Sequence, residues 1–283
     1  MEAIGGQALI EGVLMRNKNI VGIAVRKPDG KIKTNKQEFN FLNNFRKIIF
    51  LRGILVLIET LYIGTKALIY SANEASEEQS SDGKKNEKIS SKEIVVSILL
   101  SLIFGVGFFV LLPLYLTKLI VSNGILFNII DGLLRVFIFV LYVIIISFMK
   151  DIKRVFQYHG AEHMTVHCYE HKEKLTVDNC RKYSTIHVRC GTNFLFIVLI
   201  LSIIVFSFIT SNEWYIKLIS RLVLIPVISS LAYEFLKLSS KFENFFLIKI
   251  LTKPGLLLQK ITTKKPDDKQ IEVAISALNL VVK

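Results

Sequence analysis

The chain has 283 residues, 52% of them hydrophobic, and its 36 Lys and Arg against 23 Asp and Glu give a formal charge of +13. A mean hydropathy of +0.48 excludes an ordinary soluble domain. Nucleic acid and a membrane surface are the two partners such charge suggests. The basic residues flank long apolar runs, which selects the membrane and leaves nucleic acid unexpected.

In chain order, residues 1–45 read as a small β-rich segment. Ala8–Ile10 forms a short strand, and Ile20–Val25 and Lys31–Phe39 flank the turn sequence Pro28-Asp29-Gly30. No basic region precedes the first apolar residues, which Gly5, Gly6, Gln7, Glu11 and Gly12 interrupt, so insertion by internal helices is expected rather than a cleaved signal. Glu11 and Arg16 are of functional type, although surface charge accounts for each taken alone.

Across residues 46–70, Arg52, Glu59 and Lys66 recur every seventh residue as one charged stripe. This predicts an interfacial or partly inserted helix, or one packed with its stripe against protein; a fifth span is the alternative. Residues 71–93 are a polar, Ser-rich linker. Residues 94–149 hold two spans, 94–116 without charge and 125–149 with only Asp131 and Arg135. That pair, one turn apart, reads as a packing or register pair rather than a transport path.

Residues 150–192 follow as a polar segment rich in His and Cys, and residues 193–238 supply two further spans at 193–210 and 215–236. In residues 239–283, Pro254-Gly255 divides an apolar, basic stretch (241–261) into two short membrane-surface helices. Pro266-Asp267-Asp268 then starts an amphipathic helix through Ile271, Ala274, Ile275 and Leu278. Basic residues collect at 1–53, 84–92, 150–189 and 237–265, whereas 117–124 has only Lys118. This places both termini and the 150–192 segment in the cytosol, with Lys217 and Arg221 as exceptions on the outer side.

All five histidines and all three cysteines lie between residues 159 and 190. His159, His163 and His167 are spaced by four, so neighbours share a helical face and can close on one cation. The string His159-x-x-Glu162-His163 is the inverted zinc-protease signature, in which both His are ligands and the Glu is the general base. His187-x-x-Cys190 supplies the best candidates for the remaining donors, with His167, Glu170, Cys168 and Glu11 in reserve. Imidazole and thiolate favour Zn²⁺, then Fe²⁺, over Mg²⁺ or Ca²⁺. Cytosolic thiols ligate metal more readily than they form disulfides. A shell closed by four protein ligands would be structural, whereas three ligands and an open position would suit catalysis.

At these residues the chain resembles the YqhQ-type bacterial integral membrane proteins, known only as predicted metal-dependent enzymes. The resemblance is carried by GGQALIEGVLMR, AVRKPDG, RGILVLIE, SANE, MKDIKRVFQYHGAEHMTVHCYE, RCGTNFL and PDDKQIEVAISAL. It implies a multi-pass protein of the bacterial plasma membrane. Val188 stands where the family pattern usually has Pro, which implies a less fixed His187–Cys190 turn.

The expected fold is mainly α, with about four transmembrane helices, interfacial helices and a small N-terminal β element on the cytosolic side. The expected function is that of a metal-dependent hydrolase with a cytosolic-face zinc site. The rival is a non-catalytic scaffold or assembly factor for other membrane proteins, with a structural metal.

Overall fold

The computed structural model describes residues 4–39, 48, 51–76, 90–122, 124–209, 211, 213–239, 242 and 245–282. Most of the linker expected at 71–93, and part of 239–245, lie outside these residues.

Four strands, β1 (Gly5–Leu9), β2 (Gly12–Asn17), β3 (Ile20–Arg26) and β4 (Ile32–Glu38), pair antiparallel in chain order. Gly30 takes φ +82° in the turn read from Pro28-Asp29-Gly30, a conformation open to glycine without steric cost. Side chains alternate across the pleat. Val13, Met15 and Ala24 enter one core, and Leu14, Val21, Ile23 and Val25 enter another on the opposite face. The first face packs on helices α5 (Lys150–Glu170) and α10 (Asp268–Asn279), and the second on α1 (Leu51–Ala75). Asp267 caps α10 in a reciprocal capping box with Gln270.

The helical part is a membrane-type bundle. Helix α2 (Ser91–Val106) passes through a π-helical turn, Gly107–Leu111, into α3 (Leu112–Ile120), and α4 (Gly124–Ile146) returns. Four helical stretches are long and apolar enough to cross a bilayer: Leu51–Ala75, Lys92–Ile120, Gly124–Ile146 and Trp214–Ser239. Three of them coincide with spans read from the sequence, and the fourth, α1, is the segment for which a further span was the alternative. Helix α1 meets the length and hydropathy criteria, while the segment expected to span at 193–210 forms the shorter α7 (Gly191–Ser207), packed among α4, α8 (Trp214–Ser239) and α9 (Phe246–Thr262). The most apolar window of Lys92–Ile120 buries none of its residues against protein, which suits contact with lipid.

The charged stripe of α1 turns largely inward. Arg52 pairs with Glu234 of α8, and buried Glu59 accepts from Arg16 of β2 at 2.8 Å. Lys66 stays exposed over the Tyr62 ring. Asp131 is fully buried and accepts from Arg135 at 3.0 Å and from Arg221 of α8 at 2.8 Å. Arg221 and Lys217, the basic exceptions of the sequence pattern, are therefore buried inside the bundle. Their helix turns them toward α4, where the Asp131 carboxylate offsets part of the desolvation of the guanidinium groups.

One further element departs from the sequence reading. The 241–261 stretch contains one helix, α9, with Pro254 inside it rather than two helices broken there. Between α4 and α5 the chain breaks at Met149, which is extended at φ −69°, ψ 133°, so α5 starts as a helix of its own.

Candidate metal centre

Helix α5 presents two faces. Tyr158, Ala161 and Cys168 enter the core shared with the sheet and α10. His159, His163 and His167, four residues apart, form a ridge on another face. Gly160 lies between these faces because a Cβ there would collide with the Lys264 carbonyl; Lys264 N–H in turn donates to the Phe156 carbonyl at 2.8 Å. The glycine thus admits the chain that follows α9 and does not interrupt α5.

His159, His163 and Cys190 form one group able to hold a metal ion, each offering a ligand atom within 4.8 Å of the others. His159 Nδ1 lies 2.9 Å from the Thr262 carbonyl and His163 Nδ1 2.5 Å from the Thr185 carbonyl. A carbonyl only accepts, so each Nδ1 carries the proton, and the Nε2 lone pair is left for the interior of the group. His159 Nε2 is 3.2 Å from Cys190 Sγ. Backbone carbonyls that fix the tautomer of an imidazole in this way are the usual outer support of a metal-binding histidine.

Cys190 is the N-cap of α7, its sulfur accepting from Thr192 N–H at 3.4 Å. Burial pushes its thiol up, but the neighbouring His163 ring and the bonds to Thr192 outweigh that and hold it below the ordinary thiol value. Burial favours the neutral form of His163. A thiolate and neutral imidazoles are the protonation states that ligation requires.

His187 joins a different group, with His167 and Glu170. Its Nδ1 accepts from Arg189 N–H at 3.2 Å and its Nε2–H faces Glu170 at 3.2 Å, so both ring nitrogens are engaged away from Cys190. His167 Nε2–H donates to the Ile186 carbonyl at 2.9 Å. Burial opposes ionisation of Glu170, but His187 and Arg189 outweigh it and lower its pKa. The 185–190 turn is fixed without a proline at 188. Gln259 of α9, fully buried, accepts from His187 N–H at 2.9 Å and donates to the His187 carbonyl at 3.0 Å; Asn193 donates to the Val188 carbonyl at 2.6 Å.

Glu162 is 6% exposed and its Oε2 has no hydrogen-bond partner among the described residues. Burial raises its pKa to about 8. It lines a cavity of 310 Å³ together with His159, His163 and Cys190, roofed by Gly5 and Gly6 of β1. A Cβ at Gly6 would stand 2.7 Å from the Glu162 carboxyl, so the strand edge approaches this side chain as closely as a residue without a side chain permits.

Of the reserve candidates, His167 and Glu170 fall in the group with His187, Cys168 enters the core, and Glu11 binds Arg154 and the Tyr158 hydroxyl. The supporting residues Thr185, Gln259 and Thr262 were not apparent in the sequence. Two of them act through backbone carbonyls, which every residue possesses, and the third is an ordinary glutamine on an apolar helix.

The fold and these groups define a polytopic helical membrane protein in which His, Cys and Glu side chains can hold a metal beside a small antiparallel sheet. Residues 48–283 match the model of the family described as a protein of unknown function (DUF1385), and the chain belongs to that family. Over 290 residues it is 36% identical to the "Uncharacterized protein YqhQ" of Bacillus subtilis (strain 168), covering 98% of this chain and 91% of the relative. No solved structure matches the chain.

Proposed function

We propose that the protein is a membrane-embedded, metal-dependent hydrolase whose metal is held by His159, His163 and Cys190, with Glu162 as general base. The observation that carries this reading is the pairing of a three-ligand group with a buried carboxylate whose Oε2 lacks a partner among the described residues, both lining one cavity. The donor set fits a borderline-soft cation such as Zn²⁺, with Fe²⁺ second. Among the described residues the group offers three ligands and not four, the count that leaves a position for substrate or water.

A bound Zn²⁺ would supply a Lewis acid that acidifies water and polarises a carbonyl or phosphoryl oxygen. Glu162 would do the proton work. Burial keeps it protonated near neutrality, a neighbouring cation favours its ionised form, and in that form it accepts the proton of the attacking water and returns it to the leaving group. The Thr185 and Thr262 carbonyls would hold both imidazoles in register throughout. The concentration of Lys and Arg around 150–189 supports a position for this centre on the cytosolic face.

Metal analysis of the purified chain tests the reading. The native protein and Glu162→Gln should carry equal Zn²⁺ or Fe²⁺, while His163→Ala and Cys190→Ser lose most of it. Glu162→Gln should fail to complement a deletion strain. Metal retained together with full complementation by Glu162→Gln would instead favour the scaffold with a structural site.

A further inference from the structure

At the other end of α4 the bundle carries an excess of buried positive charge. Among the described residues of α4 and α8, the buried charges are Asp131 against Arg135, Lys217 and Arg221. Both arginines bond Asp131. Lys217 does not. It is 3% exposed, and its ammonium, 3.5 Å from the centroid of the Phe127 ring, has no hydrogen-bond or ion-pair partner among the described residues.

Lys217 lines a cavity of 710 Å³ between α3 and α8. Leu114, Tyr115, Trp214 and Leu218 give this cavity apolar and aromatic walls, and Lys118 adds a second ammonium. Glu213 is the one carboxylate among its described lining residues, and it is exposed. The lysines are thus in excess over acid. Withdrawing an ammonium from water without a counter-charge is unfavourable, and an aromatic face offsets only part of it. An anion seated between Lys217 and Lys118 would complete the pairing, and the remaining walls suit an acyl chain. Helix α4 has 23 residues, so at about 1.5 Å per residue this cavity is on the order of 34 Å from the start of α5 and is separate from the metal centre.

We propose that this cavity binds a phosphate-bearing anion, the headgroup of an anionic lipid whose chains lie along α3, with Lys217 and Lys118 as its cations. Trp214 is the only tryptophan of the chain and lines the cavity, so its fluorescence reports occupancy directly. The full chain in phosphatidylcholine nanodiscs is titrated with brominated phosphatidylglycerol or with brominated phosphatidylcholine. Phosphatidylglycerol should reach half-quenching at a mole fraction lower by roughly fivefold for each lysine engaged. Lys217→Gln should abolish most of that preference, and Lys118→Gln, an exposed change that leaves the bundle intact, should reduce it.

Equal quenching by the two lipids, or a preference unchanged in both variants, would overturn the proposal. Inorganic phosphate supplies the last arm. Relief of quenching by millimolar phosphate would show that the phosphate group alone suffices, and resistance to it would show that the acyl chains are required; either result, with the lysine dependence, upholds an anion site.

Discussion

Among the described residues Glu162, unlike Glu11 and Glu170, has no cation paired with it, and that has a consequence for stability. Its folded pKa of about 8 stands above its ordinary value of 4.5. Below pH 4.5 the carboxyl is neutral folded or unfolded, and burial costs it no ionisation. Between pH 4.5 and 8 the unfolded chain releases the proton while the fold retains it, so stability falls as pH rises through this window. In the metal-free protein, Glu162→Gln should therefore raise the unfolding midpoint at pH 8, by about 1–3 kcal/mol of recovered stability, and change it little at pH 4.5. A gain of the same size at both pH values would show that Glu162 is not the group responsible.

The cysteines give a second expectation at this scale. Burial pushes the Cys180 thiol up to about 12 and raises Cys168, whereas Cys190 is held below its ordinary value. The thiolate is the reactive form. After chelation at pH 7.5, alkylation followed by peptide mapping should mark Cys190 first, and added Zn²⁺ should protect it. Labelling led by Cys168 or Cys180 would place the low-pKa thiol elsewhere.

Between elements, the polar contacts of α8 show what pattern reading captures and what it does not. The i, i+4 spacing of Asp131 and Arg135 was legible as a pair, because one helix fixes that neighbourhood. Arg221 was not, since its partner lies 90 residues earlier on another helix and a local window carries no sign of it. For the same reason His159, His163 and Glu162 were apparent from α5 alone, while the grouping of Cys190, rather than His187, with the two histidines required the path of the 185–190 turn. The close approach of Gly160 to the Lys264 carbonyl is likewise visible only in three dimensions.

Asp131→Ala measures how much the bundle depends on this convergence. It strands two buried guanidinium groups rather than one, so the loss should reach or exceed the ~3–5 kcal/mol typical of a broken buried pair. Metal content should not change. Thermal unfolding in detergent and metal analysis of the surviving fraction would show this, and reduced metal at full stability would instead link the two ends of the molecule.

For the molecule as a whole, the sheet, α5 and α10 form one layered unit, and the α3–α4 connection lies at the far end of α4 from it. The apolar lengths of the helices and the local sheet pattern were readable because both depend on short-range periodicity. Which four helices carry enough length was less so, because α1 mixes its apolar face with charges that turn out to bind protein. A single cysteine at Ser122 should react with an impermeant maleimide on intact cells, and one at Lys172 only after permeabilisation. Labelling of both from outside would reverse the assignment of the metal centre to the cytosolic face.

The carbonyl of Thr262 also sets an order of events during synthesis. A nascent chain carries His159, His163 and Cys190 by the time residue 190 has been made, yet the acceptor that sets the His159 tautomer is made 72 residues later. The Gln259 side chain that grips the 185–190 turn also arrives late, and Gly6 must already be folded against Glu162. Metal loading should thus be a late, post-insertion step. A chain stopped at residue 245 would contain all three proposed ligands and all four long apolar helices, and should be recovered from membranes with little metal. Equal metal in the truncated and full chains would show that the ligands organise themselves without the C-terminal segment.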